Sequence, residues 1–381
     1  MGCEPELLQK QAKPAKARKL DLPEGVPPLT SLYMYIAGSC NLACRHCWIS
    51  PTYEPDNSKG QFLKLEYIKK AVREAKPLGL RSVKLTGGEP MLHPQFREIV
   101  EYLDSENISI IMETNGTLID AEIARLLKSK SHFNFVSVSI DGAKAKTHDN
   151  LRGVKGSFKQ ATDGIKSLVK AGFHPQLICT LHKGNVAELK AVVNLAEALD
   201  CGSVKFNHVQ HMGRGDNFAE KNGFTIKELI KLFQKIECKI RPKSKTNIYF
   251  DIPIAFYSMR KMLADSQQRC TIKNIIGLLA TGDFALCGIG YQIPELIYGH
   301  VEKDDLSEVW NKSQGLVNLR EQIPSKLEGI CALCIHRDWC LGACAANNFH
   351  ASGRLNAPYY FCDNASQLGL FPKSRIKISD S

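Results

Sequence analysis

The chain has 381 residues, and no apolar run in it approaches the ~20 residues that a membrane-spanning helix needs. Its first 28 residues lack the apolar core of a signal peptide, so a cytoplasmic location is expected and no membrane partner. Low-complexity blocks are absent, as are short tandem repeats beyond the strand–helix unit described below. No RNA-binding module is appended, and a net charge of +11 permits an acidic partner without identifying one; no nucleic-acid partner is expected. Hydrophobic residues make up 44% and charged residues 23%, a soluble globular composition that excludes disorder over most of the chain. The length corresponds to about two to three domains.

Cysteine is present in excess. There are 14, and in a reducing cytoplasm that number points to metal or redox chemistry rather than disulfides. Cys40, Cys44 and Cys47 fall within eight residues, and seven more run from Cys270 to Cys362. Cys3, Cys179, Cys201 and Cys238 are scattered, and read as core, incidental or tail residues.

From residue 32 short apolar or β-branched runs alternate with helical patterns. The runs are 32–37, 82–85, 108–113, 135–140, 177–181 and 203–207. Phe96, Ile99, Val100 and Leu103 form one helical stripe between them; Phe158, Ala161, Ile165 and Leu168 form another; Leu189, Val192, Val193, Ala196 and Leu199 form a third. Strands alternating with helices predict right-handed βαβ units and a parallel sheet. A closed eight-unit barrel takes about 250 residues, so six units predict a partial (β/α)6 TIM-like barrel of α/β class, with its ligand site at the carboxyl ends of the strands. The expected organisation is a polar tail over 1–30, the barrel over 31–240, a linker over 241–265, a cysteine-rich domain over 266–365 and a second tail over 366–381. The basic stretch 231–245 is read as a solvated helix face, with an acidic peptide as the other reading.

The first cysteine cluster, Cys40-x3-Cys44-x2-Cys47, directly follows the first strand. Three thiolates on one short loop suit three corners of an iron–sulfur cluster and leave one iron open. Zinc is the competing reading, with His46 as a fourth ligand. After the second strand comes Thr86-Gly87-Gly88-Glu89-Pro90, whose paired glycines allow close backbone approach. Glu113-Thr114-Asn115-Gly116 follows the third strand. Ser139 and Asp141 share one face at the end of the fourth, ahead of His148, Arg152, Gly153 and Gly156-Ser157-Phe158. Met212-Gly213-Arg214-Gly215 follows the sixth.

These motifs resemble the radical S-adenosylmethionine (SAM) superfamily, in which SAM chelates the open iron of a [4Fe–4S] cluster and is cleaved to a 5′-deoxyadenosyl radical. The resemblance implies that Cys40, Cys44 and Cys47 are metal ligands and that His46 lies near the adenine rather than on the metal. It likewise implies SAM binding by Gly87, Gly88, Glu89, Asn115, Ser139 and Arg152, with Arg152 on the methionine carboxylate.

The later cysteines run Cys270, Gly282-x4-Cys287, Cys331-x2-Cys334-x5-Cys340-x3-Cys344, Cys362. A zinc ribbon needs four of them and leaves three unexplained. The order is similar to the SPASM (twitch-type) iron–sulfur extension of radical SAM maturases, and with the barrel the resemblance spans about residues 30–365. It implies one auxiliary [4Fe–4S] cluster on Cys331, Cys334, Cys340 and Cys362 and another on Cys270, Cys287 and Cys344, whose fourth iron is either open to substrate or closed by a non-cysteine residue or a distant cysteine. Sulfatase maturases carry an extra cysteine in the stretch matching 271–286, and an Asp proton acceptor directly after the cysteine matching Cys287. This sequence has neither: no cysteine lies in 271–286, and Gly288 follows Cys287.

The resemblance therefore implies an oxygen-sensitive enzyme that modifies a ribosomally made precursor peptide by thioether or carbon–carbon cross-linking, akin to maturases of SynChlorMet-type cassettes. Flavodoxin or ferredoxin would donate the electron. The segment before Leu32 is too short for a leader-binding module, so a separate leader-binding protein, or the barrel itself, is expected to recognise the leader. A radical SAM enzyme for a small molecule or cofactor precursor is the alternative, and a non-catalytic iron–sulfur electron carrier a third reading.

Overall fold

Along residues 31–208 six strands alternate with helices: β1 (Ser31–Ala37), α1 (Leu65–Ala75), β2 (Ser82–Gly87), α2 (Phe96–Ser105), β3 (Ser109–Thr114), α3 (Ala121–Ser129), β4 (Phe133–Ser139), α4 (Ala145–Arg152), α5 (Ser157–Lys170), β5 (Gln176–Leu181), α6 (Leu189–Ala198) and β6 (Ser203–His208). The computed structural model describes residues 20–55, 60–259, 262 and 270–377; Cys3 and most of the N-terminal tail lie outside the described residues. β1 to β6 pair in parallel in chain order, and the sequence reading of the six-unit α/β barrel holds.

The period of two along each strand separates two environments. Val83, Leu85, Ile110, Met112, Leu177, Cys179, Val204 and Phe206 are buried under the helices. The helices present the stripes expected of them: Phe96, Ile99, Val100 and Leu103 on α2, Ala161, Ile165 and Leu168 on α5, and Leu189, Val192, Val193 and Ala196 on α6 are all buried. At roughly 1.5–3 kcal/mol for each large apolar side chain removed from water, this packing rather than helix propensity holds helices of 10 to 14 residues in place. The alternate positions, among them Tyr33, Lys84, Glu113, Ile178, Lys205 and Asn207, face the lumen and are only half-buried.

Two additions lengthen the sheet. After α7 (Arg214–Asn222) and α8 (Ile226–Lys235), strand β7 (Asn247–Phe250) pairs in parallel with β6. It lies inside the stretch read from sequence as a linker; four residues between Thr246 and Asp251 are too few for an alternation to stand out. On the opposite edge β8 (Ile275–Leu278) pairs in parallel with β1, followed by antiparallel β9 (Asp283–Ala285) and β10 (Ile297–His300). Among the described residues the sheet thus has ten strands. The cysteine-rich section shares the barrel's core as well as its sheet: Phe284, Trp310 and Phe361 belong to the same buried cluster as Ile36 and Leu85. Trp310 Nε1 donates to the Pro27 carbonyl at 2.9 Å, and Lys70 Nζ to that of Val301 at 2.6 Å. No helix among the described residues is long and apolar enough to cross a membrane.

Candidate active site

The loop after β1 carries Cys40, Cys44 and Cys47, and three neighbours clasp its backbone. From the β2 side, Gly88 N–H donates to the Ala37 carbonyl at 2.7 Å and Glu89 N–H to that of Ser39 at 3.0 Å. A Cβ at Gly88 would stand 1.8 Å from the Ser39 oxygen. The close approach that Gly87 and Gly88 permit is therefore made to the cysteine loop itself, where the sequence reading has it made to a ligand. From the α4 end, Ala43 N–H donates to the Arg152 carbonyl (3.1 Å) and Arg45 N–H to that of Leu151 (2.9 Å). From the 212–215 loop, Arg214 N–H donates to the Cys47 carbonyl at 3.0 Å.

Glu89 is fully enclosed. Its carboxylate accepts from Thr114 Oγ1 (2.7 Å), Asn115 N–H (2.8 Å) and Met91 N–H (3.3 Å). Burial pushes its pKa up to about 7, with the bonds from Asn115 and Thr114 pulling it back. Read from sequence as a SAM contact, Glu89 here spends its oxygens on fixing the β3 loop against the β2 loop. Asn115, so placed, donates to Asn41 Oδ1 at 2.8 Å and lies 3.8 Å from Cys40 Sγ.

Asp141, two residues past the end of β4, is the hub that the sequence reading left out of the site. Its side chain is fully buried. One oxygen pairs with Arg152 Nε at 2.6 Å and lies 3.6 Å from His46 Nε2; the other accepts from Thr180 N–H at 2.7 Å. Burial works against its charge, yet Arg152 and His46 hold the carboxyl below the usual range. Arg152 also reaches Cys44, Nη1 to Sγ at 3.6 Å, so its cation already has two partners within the chain. His46, its side chain 11% exposed, is pushed down to about 4 by desolvation, which keeps it neutral, and among the described residues its Nδ1 has no partner. Ser139 ends β4, half-buried, with Ile178 opposite on β5. The only sequence signal for Asp141 was its sharing a face with Ser139.

The later cysteines gather in two groups. Cys362 lies in the field of Cys331, Cys340 and Cys334, and Cys340 in that of Cys331 and Cys334. Separately, Cys270 lies in the field of Cys344 and Cys287, and Cys287 in that of Cys344. Asp251, just past β7, also acts on Cys344. Among the described residues no three His, Cys, Asp or Glu side chains converge tightly enough for a single metal ion. All described cysteines are free. Burial pushes Cys287 and Cys340 up to about 12, with the neighbouring sulfurs adding to it. Crowded sulfurs drawn out of water in this way are neutral thiols by themselves and become thiolates on a metal. The donor set thus fits iron–sulfur clusters, which thiolates hold.

Gly288 explains one departure from the sulfatase-maturase pattern. A Cβ there would lie 2.4 Å from Tyr35 Cζ and 2.5 Å from its oxygen. Tyr35, buried on β1, fills the space into which an Asp side chain would project. Gly288→Ala is expected to cost about 1–3 kcal/mol by overpacking, read as a lower urea midpoint; an unchanged midpoint would show that Tyr35 moves aside freely.

Residues 34–196 match the family model of the radical SAM superfamily. The chain carries a radical SAM domain. It is 28% identical over 329 residues to the AdoMet-dependent heme synthase of Methanosarcina barkeri, covering 84% of this chain and 91% of that protein. To the mycofactocin maturase MftC of Mycobacterium tuberculosis it is 27% identical over 323 residues, covering 84% and 79%. The fold is shared with Streptococcus suis SuiB bound to its precursor peptide SuiA, with a TM-score of 0.70 and 16% identity over 88% of this chain and 76% of that one. It is shared too with anSMEcpe bound to AdoMet, with a TM-score of 0.66 and 18% identity over 91% and 93%. A radical SAM enzyme carries a [4Fe–4S] cluster and binds SAM.

Proposed function

We propose that this enzyme modifies a ribosomally made precursor peptide, closing a thioether or carbon–carbon cross-link inside the barrel. The observation that carries the reading is the gathering of the later cysteines into two groups, one of them, Cys270, Cys287 and Cys344, beside the lumen residues Tyr33 and Lys84. Cys40, Cys44 and Cys47 would hold the SAM-binding cluster, Cys331, Cys334, Cys340 and Cys362 a second, and Cys270, Cys287 and Cys344 a third. When bound, these groups supply a 5′-deoxyadenosyl radical and an acceptor for the electron released as the new bond closes. The chain's own residues orient and enclose. Asp141 fixes Arg152 and His46 at the cysteine loop, where His46 would border the adenine as a neutral ring. Gly87, Gly88, Asn115 and Ser139 would line the SAM site, with Glu89 positioning Asn115. Arg152 offsets the charge at Cys44 and would share its remaining donors with the methionine carboxylate. Flavodoxin or ferredoxin would reduce the first cluster, and a separate protein would present the leader. The two tails, a connecting segment over 241–265 that adds strand β7 to the sheet on its way to the cysteine-rich section, and a cytoplasmic location complete this reading.

Cross-linking removes two hydrogens from the peptide: one atom passes to the SAM-derived fragment, and the other leaves as a proton and an electron. The test is an anaerobic reaction of reconstituted enzyme, SAM and reductant with a short peptide encoded beside the gene. The expected result is a peptide lighter by two hydrogens, with one 5′-deoxyadenosine formed per event. The heme synthase among the relatives favours a second reading, a small-molecule substrate. SAM cleavage with the peptide unchanged, but with a porphyrin substrate altered, would replace the first reading by the second.

A further inference from the structure

The lumen carries a surplus cation. In a closed parallel barrel, layers of side chains fill the interior, but here Lys84, Glu113, Lys205 and Asn207 are only half-buried. Lys84 is committed: its Nζ lies 2.9 Å from Glu113 Oε1 and 4.5 Å from the centre of the Tyr33 ring. It is also the cation acting on Cys270 and Cys287, so the cysteine group accounts for its charge. Lys205, on β6, has no hydrogen bond or ion pair among the described residues, although it reaches Glu113 through its field. Two lysines thus face one carboxylate, and that carboxylate is taken. An ammonium drawn partly out of water without a counter-charge is unfavourable unless something pairs with it. Two residues further along the same face of β6, Asn207 Oδ1 is buried with no partner among the described residues. An unmatched cation and an unmatched acceptor therefore stand side by side on the lumen wall.

We propose that Lys205 and Asn207 form a substrate-reading site for a carboxylate, with Lys205 pairing with the anion and Asn207 Oδ1 accepting an N–H or O–H next to it. For a peptide this describes an acidic side chain, or the terminal carboxylate, together with its backbone N–H. The inference rests on the reading of the lumen as the substrate's place, and it names the class of group read there. The pair positions the substrate; no bond is made or broken by it.

The test is equilibrium dialysis of anaerobic holoenzyme with SAM against two hexapeptide pools, one with Glu fixed at an internal position and one with Gln there. Coproporphyrin III, a non-peptide tetracarboxylate, and its tetramethyl ester are run in parallel. The wild type is expected to retain the Glu pool about tenfold to hundredfold over the Gln pool, the range of a charge-assisted hydrogen bond. Lys205→Met should erase that preference and Lys205→Arg should keep part of it, both with unchanged iron content. Retention of coproporphyrin alone, lost in Lys205→Met, supports the carboxylate site while overturning the peptide reading. If no probe's retention depends on Lys205, or if the Glu and Gln pools are both retained and to the same extent, the proposal is overturned.

Discussion

Alanine at Cys40, Cys44 and Cys47 together is expected to abolish reductive cleavage of SAM and to lower the iron content by about four per chain, from about 12 to about 8. The loss should stop there. The seven later cysteines form groups of their own, away from this loop in the sequence and in one another's fields. The loop's backbone is tied down independently of its sulfurs, by the Gly88, Glu89 and Arg214 N–H groups and by the Arg152 and Leu151 carbonyls, so the variant should fold. Iron assay together with chromatography of 5′-deoxyadenosine reads both effects. Unchanged iron would mean that this loop holds no cluster. Iron falling to zero would mean that the three groups assemble as one unit, against the separation described above.

The second large effect is structural. Asp141→Asn is expected to cost about 3–5 kcal/mol, because it leaves the Arg152 guanidinium buried without its counter-charge. The shape is kept, but the carboxylate that pairs with Arg152 at 2.6 Å and faces His46 at 3.6 Å is gone. Urea unfolding of the anaerobic protein measures the cost. Removing the partner as well, in Asp141→Asn with Arg152→Met, should cost clearly less than the sum of the two single changes, as for groups in direct contact. A loss under about 1 kcal/mol for Asp141→Asn would put the pair in the class of exposed ion pairs, and Asp141 would lose its place as the organiser of the cysteine loop.

Much of this architecture is legible in the sequence because it is periodic. The stripes on α2, α5 and α6 and the six apolar runs repeat at the spacings of their elements, and burial follows the stripes at every position but Phe158 and Leu199, which are half-buried. Strands β7 and β8 escape notice for a physical reason: at four residues each, they take their stability from an existing sheet edge, β6 in one case and β1 in the other. β8 shows no alternation at all, since its four residues are buried on both faces. The cysteine motifs were legible by spacing, whereas the contacts around them were not. Glu89 sits in a motif read as ligand-binding, yet its oxygens go to Thr114 and Asn115, more than twenty residues away in sequence. Gly288 reads as a lost proton acceptor until Tyr35 is seen to occupy the space. Lys84 and Lys205 lie in no motif and Glu113 only heads one, and only the curvature of the sheet brings three separate strands to one lumen.

The central claim is an enzyme with one SAM-binding cluster and two auxiliary clusters on the later cysteines. Iron and zinc content of anaerobically prepared wild-type protein tests it most directly. The account predicts about 12 iron per chain and no zinc. About 4 iron, with zinc held by Cys331, Cys334, Cys340 and Cys362, would contradict it and leave a one-cluster SAM enzyme with a zinc-stapled extension.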